Sequence, residues 1–337
     1  MRKLLVTGGA GFIGSNFVRM AISEHPDCLI VNLDKLTYAG NLENLAGFLD
    51  KPNHKFVKGD ICDGQLVEKI IEENHIDTII NFAAESHVDR SITGPKIFIE
   101  TNVTGTLTLL EAARDNKLER FIQISTDEVY GALGAEGKFT EETPLSPNSP
   151  YSASKAAADM LVKAFSHTWG VKYNITRCSN NYGPYQFPEK LIPLMINNAL
   201  NNRKLPVYGD GLYVRDWLYV YDHCTAVWQV LQKAPAGEIY NIGGCNEKAN
   251  LEVIKMILNR LDKPESLIKH VTDRPGHDRR YAIDASKIIN ELGWQPSVNF
   301  KEGINKTIDW YLENQDWLSN VVSGDYQRYY ELMYGNR

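Results

Sequence analysis

The sequence predicts an α/β protein, a doubly wound parallel sheet with a smaller, partly interleaved α/β lobe attached. Three observations carry that expectation: short β-branched runs alternate with amphipathic stretches through the first half, a glycine-rich turn follows the first run, and the alternation breaks down after Arg177. Parallel strands cannot be joined by tight hairpins, so strand and helix patterns that alternate imply crossover connections.

The strand runs fall at residues 4–7, 29–33, 55–58, 78–82, 121–125 and 173–177, and the helical patterns near 14–24, 64–74, 96–116 and 152–169. Each helical stretch is long enough to pack across a sheet face. Residues 131–150, with Gly-Ala-Glu-Gly and Pro-Leu-Ser-Pro-Asn-Ser-Pro, show no periodicity and are expected to form a surface loop near the site. Beyond Arg177, segments rich in Asn, Pro and Gly mix with helices near 189–201 and 222–232, and residues 238–242 read as a further strand. The expected division is therefore a dinucleotide-binding domain at 1–178 with a return segment at 209–245, and a second, substrate-binding domain at 179–208 and 246–330. The aromatic tail, with Trp317, Tyr326, Tyr329, Tyr330 and Tyr334, is read as packing or subunit contact.

A chain of 337 residues exceeds the roughly 250–300 at which one hydrophobic core stops growing, which agrees with two lobes. Lys and Arg total 36 against 42 Asp and Glu, a net charge of −6, so no general field favours nucleic acid or an anionic membrane. No apolar run approaches the ~18 residues of a membrane span, and the basic start has an apolar run too short for a signal peptide. The five cysteines, Cys28, Cys62, Cys178, Cys224 and Cys245, are odd in number and never spaced C-x-x-C, so buried, reduced thiols in a cytoplasmic protein are expected, without a metal site. His87 and His223 likewise lack metal spacing.

The first strand runs into Gly8-Gly9-Ala10-Gly11-Phe12-Ile13-Gly14, with a helix expected to begin near Ser15. Glycines in this context serve a tight turn, close approach of a pyrophosphate and helix packing, and the helix N-terminus offers free N–H groups to an anion. This is the dinucleotide signature of a Rossmann sheet. Asp34 closes the second strand where a carboxylate accepts from adenosine ribose hydroxyls. A carboxylate there repels a 2′-phosphate and favours NAD, while the adjacent Lys35 is the residue that would admit NADP. Asp60-Ile61 and Phe82-Ala83-Ala84-Glu85-Ser86 end the third and fourth strands at the ligand edge of the sheet, with a helix cap as the alternative role for Asp60.

Tyr151-Ser-Ala-Ser-Lys155 opens a helix, and i to i+4 spacing places the tyrosine and lysine on one face. Tyrosine ionises near pH ~10, so a phenolate base at neutral pH needs the neighbouring lysine charge, together with the positive nicotinamide of a cofactor, to lower its pKa. The preceding strand ends in Ile124-Ser125-Thr126, and two acids, Asp127 and Glu128, follow it. Consecutive strand residues face opposite ways, so both acids reach one ligand only if the strand ends at Thr126 and turns. For a diphosphate ligand the natural donors are Arg215, Arg274 and Lys190.

With these motifs in order, the chain resembles the extended short-chain dehydrogenase/reductase family, and Ser125-Thr-Asp-Glu-Val-Tyr-Gly131 is similar to its nucleotide-sugar 4,6-dehydratase branch. Further support comes from Asp34-Lys-Leu-Thr-Tyr-Ala-Gly-Asn41, Ala83-Ala-Glu-Ser-His-Val-Asp-Arg90, Tyr185-Gln-Phe-Pro-Glu-Lys-Leu-Ile-Pro193, Arg215-Asp-Trp217 and Asp273-Arg-Pro-Gly-His277, so the likeness spans nearly the whole chain. The resemblance implies oxidation of a hexose C4 hydroxyl with Tyr151 as base, Thr126 on the same oxygen and Lys155 lowering the tyrosine pKa. Elimination across C5–C6 then uses Glu128 as base and Asp127 as acid, an order that the residues themselves leave open. Hydride return makes NAD a cofactor that stays bound.

The same resemblance brings Leu36, Thr37, Thr101 and Asn181 to the cofactor, and Ser86 and Thr126 to the hexose. It brings Asn180, Leu191, Pro206, Tyr208, Asn250, Asp273 and His277 to the nucleotide beside the three cations. It also implies a homodimer packed through the helices near 96–116 and 152–169, and deoxysugar synthesis of the rhamnose type for cell-surface polysaccharide. A 4-epimerase, or a dehydratase of a UDP-, GDP- or CDP-sugar, is the nearest alternative, and the paired acids argue against the epimerase. A cofactor-sensing regulator on the same fold would keep the glycines but has no need of Tyr151, Lys155 and both acids.

Overall fold

The computed structural model describes residues 2–322 and Tyr330. Its strands in chain order are β1 (Lys3–Thr7), β2 (Leu29–Asp34), β3 (His54–Lys58), β4 (Thr78–Asn81), β5 (Arg120–Thr126), β6 (Tyr173–Cys178), β7 (Asn180–Tyr182), β8 (Leu205–Tyr208), β9 (Val214–Tyr219), β10 (Ile239–Ile242), β11 (Glu247–Ala249) and β12 (Ile268–Val271). Seven of these form one sheet in the order β10-β6-β5-β4-β1-β2-β3, and every pairing in it is parallel. The strand order reverses between β1 and β4, which opens a crevice beyond their carboxyl ends.

Parallel sheets are covered on both faces, so their strands read as unbroken apolar runs, as Leu4-Leu5-Val6 does. Alternation splits such a run between two cores. Leu4, Val6, Ile30 and Ile80 pack under the helices Phe12–Glu24 and Val220–Lys233, whereas Leu5, Val31, Ile79 and Phe121 pack under Gly64–Asn74 and Thr106–Asp115. The helix Ser286–Leu292 also joins the first core through Ile288 and Leu292. A third core gathers Tyr182, Ile192, Trp217, Val253, Phe300 and Trp317 around the helices Leu191–Leu200, Asn250–Arg260 and Phe300–Glu313. Beside it lie the short sheets β11-β9-β7 and β12-β8.

Several elements differ from the sequence reading. The first helix starts at Phe12 because Gly11, in extended conformation, ends the turn sooner than expected, and Gly11 N–H donates to the Gly8 carbonyl at 3.1 Å. The helical pattern at 96–116 is not one regular helix: Lys96–Phe98 and Thr106–Asp115 flank a wide π-helical stretch, Ile99–Gly105. Wide turns of this kind concentrate at functional sites, and this one brings Thr101 and Asn102 to the crevice side. Trp317 is buried in the third core and the Asn198 amide donates to the Tyr330 hydroxyl at 3.0 Å, while Tyr326, Tyr329 and Tyr334 lie outside the described residues. All five cysteines are free, but Cys62 is only half-buried and Cys245, at φ +55°, is exposed.

The helix Pro150–Trp169 is fixed at its start by a capping box between Ser149 and Ser152, with Pro150 in the first position. Farther along it, Asp159 forms a buried ion pair with Arg177 of β6 at 3.0 Å, and the Arg177 guanidinium also donates to the Tyr130 hydroxyl. That helix is therefore locked in register against β5 and β6.

Candidate active site

A continuous cleft runs along the carboxyl ends of β1, β2, β4, β5 and β6. At one end, Gly8 has φ +69° and a Cβ there would lie 2.6 Å from the Ala83 backbone nitrogen. A Cβ on Gly14 would lie 2.2 Å from the Gly8 carbonyl oxygen. Only glycine at both positions lets strand, turn and helix close this tightly and leaves the first-turn N–H groups facing the cleft. Asp34 is held across the turn, its two oxygens accepting from the N–H groups of Ala10 at 2.9 Å and Leu36 at 2.8 Å. This cradle fits a dinucleotide: a close-approach glycine turn, a helix N-terminus behind it and an oriented carboxylate at the end of β2.

Of the residues expected on the cofactor side, Gly8, Gly11, Phe12, Ile13, Gly14, Asp34, Lys35, Thr37, Asp60, Ile61, Phe82, Ala83, Ala84, Ser86, Thr101 and Asn181 all line this cleft. Leu36 does not; it holds φ +55° and orients Asp34 through its backbone. The helix cap considered for Asp60 falls instead to Asp63, whose side chain accepts from Leu66 N–H. Asp60 accepts from Cys62 N–H at 3.0 Å and pairs with Lys35 at 2.6 Å, which engages the ammonium considered for a 2′-phosphate.

The cleft deepens to the end of β5, which stops at Thr126, and a single 3₁₀ turn, Asp127–Tyr130, follows. The turn expected from the paired acids is present, and both side chains face the cleft. Glu128 N–H donates to the Thr126 hydroxyl at 3.3 Å, fixing the corner. Asp127 and Glu128 then meet different surroundings. Burial raises the Asp127 carboxyl well above the ordinary carboxylate range, and the charges of Glu128 and Asp216 push it further. Burial also raises Glu128, but Arg274, Lys190 and Arg215 oppose that shift. Asp127 Oδ2 is buried without a hydrogen-bond partner within the protein, as a proton-carrying oxygen awaiting an acceptor would be. The surroundings thus differ in kind, favouring the protonated form more strongly at Asp127 and opposing it with three cations at Glu128.

Tyr151, in the first turn of Pro150–Trp169, is buried against Phe98 and reaches the Thr126 hydroxyl. Its environment within the protein supplies only part of what ionisation of the phenol requires. Burial raises the phenol well above its ordinary value, the Glu128 charge adds to this, and the Lys155 ammonium donates to the Ile124 carbonyl at 2.6 Å. Burial lowers the Lys155 pKa while Asp159, one helical turn on, raises it. The protein's own groups therefore keep Tyr151 neutral, and a further positive charge in the cleft is needed to ionise it.

A second cleft opens from the first at Glu128, Asn180 and Lys190, lined by Leu191, Pro206, Tyr208, Arg215, Asn250, Arg274 and His277. The Arg274 guanidinium reaches Asp89 at 3.2 Å, Lys190 donates to the Ser86 carbonyl at 2.7 Å, and Arg215 is held by the Asp278 carbonyl at 2.8 Å. Three fixed cations at one mouth suit a diphosphate. Asp273 lies off the cleft and holds His277 Nδ1 at 2.7 Å; burial and Arg274 lower that imidazole to about 4, so it is a neutral donor that stacks on Tyr213 at 3.7 Å. Among the described residues, no group of three or more His, Cys, Asp or Glu could hold a metal, and no helix is long and apolar enough to cross a membrane.

Sequence reasoning missed Gln186 and Phe187 on the cleft, Glu189 on both clefts and Asp89 on the second, while Glu85, read at the ligand edge, lines the first. Asp89, Gln186, Phe187 and Glu189 sit inside the quoted stretches 83–90 and 185–193, so motif membership was the available signal. His223 is wholly buried, with Nδ1 at 3.0 Å from Asn181 Oδ1.

Fold and site together define an extended short-chain dehydrogenase/reductase equipped with an acid–base pair beside its tyrosine. A family model described as GDP-mannose 4,6 dehydratase matches residues 5–307. A dTDP-glucose 4,6-dehydratase of Xanthomonas campestris pv. campestris (strain B100) is 58% identical, with 97% of this chain and 98% of the relative covered. The dTDP-glucose 4,6-dehydratase of Bacillus anthracis str. Ames in complex with NAD has a TM-score of 0.90 at 53% identity, covering 95% of this chain and 100% of that one. That of Streptomyces venezuelae, with NAD and TYD bound, has a TM-score of 0.92 at 50% identity, over 95% and 99% of the two chains. The chain belongs to the dTDP-glucose 4,6-dehydratase family.

The raised pKa of Asp127 has a consequence for stability. A carboxyl whose folded pKa lies above its unfolded value binds its proton more tightly when folded, so it opposes folding increasingly as pH rises above the unfolded value. Asp127→Asn removes that penalty. At pH 8 the variant is expected to melt about 2 °C or more above the parent, with the gain fading as the pH falls below the ordinary carboxylate range. Equal melting temperatures at pH 8 would show that Asp127 is not held neutral.

Proposed function

We propose that this chain converts dTDP-glucose to dTDP-4-keto-6-deoxy-glucose and water, using NAD that is regenerated in each turnover. The observation that carries the reading is the pair of carboxyls at the end of β5, Asp127 buried and Glu128 half-buried in the cleft that Tyr151 lines, and separated in acidity by their neighbours. NAD, held by the glycine turn, Asp34 and the cleft wall at Phe82, Ala83 and Ala84, would supply hydride acceptance at C4, hydride return at C6 and the positive charge that Tyr151 lacks.

Thr126 and Tyr151 share the C4 hydroxyl, and Tyr151 removes its proton. Lys155, fixed on the Ile124 carbonyl, holds its charge in the floor of the site. The C4 ketone makes the C5 hydrogen acidic, Glu128 takes it, and Asp127 gives its proton to the departing C6 hydroxyl. Burial keeps bulk water from quenching either carboxyl. Glu128 then returns a proton to C5. The cations Arg215, Arg274 and Lys190 hold the diphosphate, with Tyr208, Asn250 and His277 around the nucleotide. A 4-epimerase needs neither carboxyl, so the same corner argues against that alternative.

The reading extends to assembly and place. A homodimer formed through the helices of 96–116 and 150–169 is supported by the apolar side chains exposed on and beside them, Ile97, Ile99, Met160 and Trp169. Work in the cytoplasm agrees with five free thiols, and the product class suits deoxysugar synthesis of the rhamnose type.

In the deciding experiment, purified protein without added cofactor is given dTDP-glucose, UDP-glucose, GDP-mannose or CDP-glucose, and products are weighed by mass spectrometry. The parent is expected to remove one water from dTDP-glucose alone, and Glu128→Gln to lose about 100-fold or more of that rate while still reducing bound nicotinamide. Isomerisation without loss of water would overturn the reading, and full activity of Glu128→Gln would overturn the assigned base.

A further inference from the structure

We propose that Tyr38, Arg90 and Glu189 form a clasp across the cofactor cleft that sets the rate at which the dinucleotide leaves. The inference rests on the reading above that this cleft holds NAD. Three separate stretches of chain meet at one carboxylate. The Tyr38 hydroxyl, from the loop after β2, donates to Glu189 Oε1 at 3.0 Å. Arg90, in the helix Val88–Thr93, donates through Nε to Glu189 Oε2 at 2.9 Å. The Arg90 guanidinium also lies over the Tyr38 ring at 3.8 Å, and Phe187 meets that ring edge-on at 5.6 Å.

The position of these bonds matters more than their number. Thr37, Ala39 and Gly40, on either side of Tyr38, line the cleft next to Asp34, whereas Phe187 and Glu189 line it from the other side. Residues 151 apart in sequence thus join facing walls of the cleft. The Glu189 side chain is only 2% exposed, so both its bonds are charge-assisted and shielded from water. Burial and the Glu189 charge hold the Tyr38 phenol far above its ordinary pKa, which keeps it a donor at any physiological pH. The diphosphate cations Arg215 and Arg274 line the neighbouring cleft and make none of these bonds, and Glu189 itself borders both clefts. For a reaction that borrows hydride and gives it back, losing the cofactor between turnovers serves nothing, and a bolt across the cofactor cleft matches that need.

The test uses holoenzyme loaded with isotopically labelled NAD, and reads the rate of label loss into excess unlabelled NAD together with the melting temperature of each protein. Tyr38→Phe keeps the ring and removes the hydroxyl, and Glu189→Gln keeps the shape and weakens the Arg90 bond. Each is expected to release label roughly tenfold or more faster than the parent. Release within about twofold of the parent in both variants overturns the clasp, whether or not the melting temperature falls, since a merely structural contact moves stability and leaves release alone. A parent protein that binds no NAD overturns the clasp and the functional reading together, whereas retention by the parent with unchanged release by the variants overturns the clasp alone.

Discussion

Two adjacent carboxyl groups, Asp127 buried and Glu128 half-buried, stand at the end of β5, and the rest of the site is organised by what their partial removal from water demands. Isolated carboxylates in an apolar setting either take up a proton or find a compensating charge. Here the chain uses both solutions one residue apart. Burial, Glu128 and Asp216 drive the Asp127 carboxyl up, and the charge of Arg215 opposes them more weakly. Glu128 faces Arg274, Lys190 and Arg215, which restrain the rise. The same three cations suit the diphosphate of a substrate, so the charges that would anchor the ligand also set the protonation of the base.

Around that corner, buried polar groups hold the geometry. Asn102, in the wide helical turn, binds the backbone of Glu85 through both ends of its amide and donates to Ser154 of the helix that carries Tyr151. Asp159 and Arg177 tie the same helix to β6. Lys155 spends its proton donor on the Ile124 carbonyl, two residues before Thr126, and so links the helix to the strand end where the acids begin. These contacts make the positions of Thr126, Tyr151 and the two acids a property of the packed sheet and not of a surface loop.

Much of this was legible in the sequence because the signals are local. Strand runs such as 78–82 and 121–125 are continuous and rich in β-branched residues, and Gly8 and Gly14 carry a steric requirement that no other residue meets. The turn after Thr126 followed from the need for both acids to face one ligand. What escaped reading depends on distant partners. The π-helical stretch Ile99–Gly105 packs where a Cβ on Gly105 would lie 2.4 Å from Ile61, a contact across more than forty residues. The sequence left Asp60 open between ligand edge and helix cap, and folding gave the cap to Asp63 and brought Lys35 to Asp60. Lys155 shares a helix face with Tyr151, yet its ammonium is committed to the backbone of β5. Glu189 gained its meaning only when folding brought Tyr38 and Arg90 to it.

The central claim is that Asp127 carries a proton at a pH where carboxyls are ordinarily ionised. Isotope-edited infrared spectroscopy of the folded protein at pH 8, comparing parent with Asp127→Asn, reads that proton directly. The account predicts a protonated carboxyl stretch in the parent that disappears in the variant. A spectrum in which the Asp127 substitution removes only carboxylate absorption would contradict it.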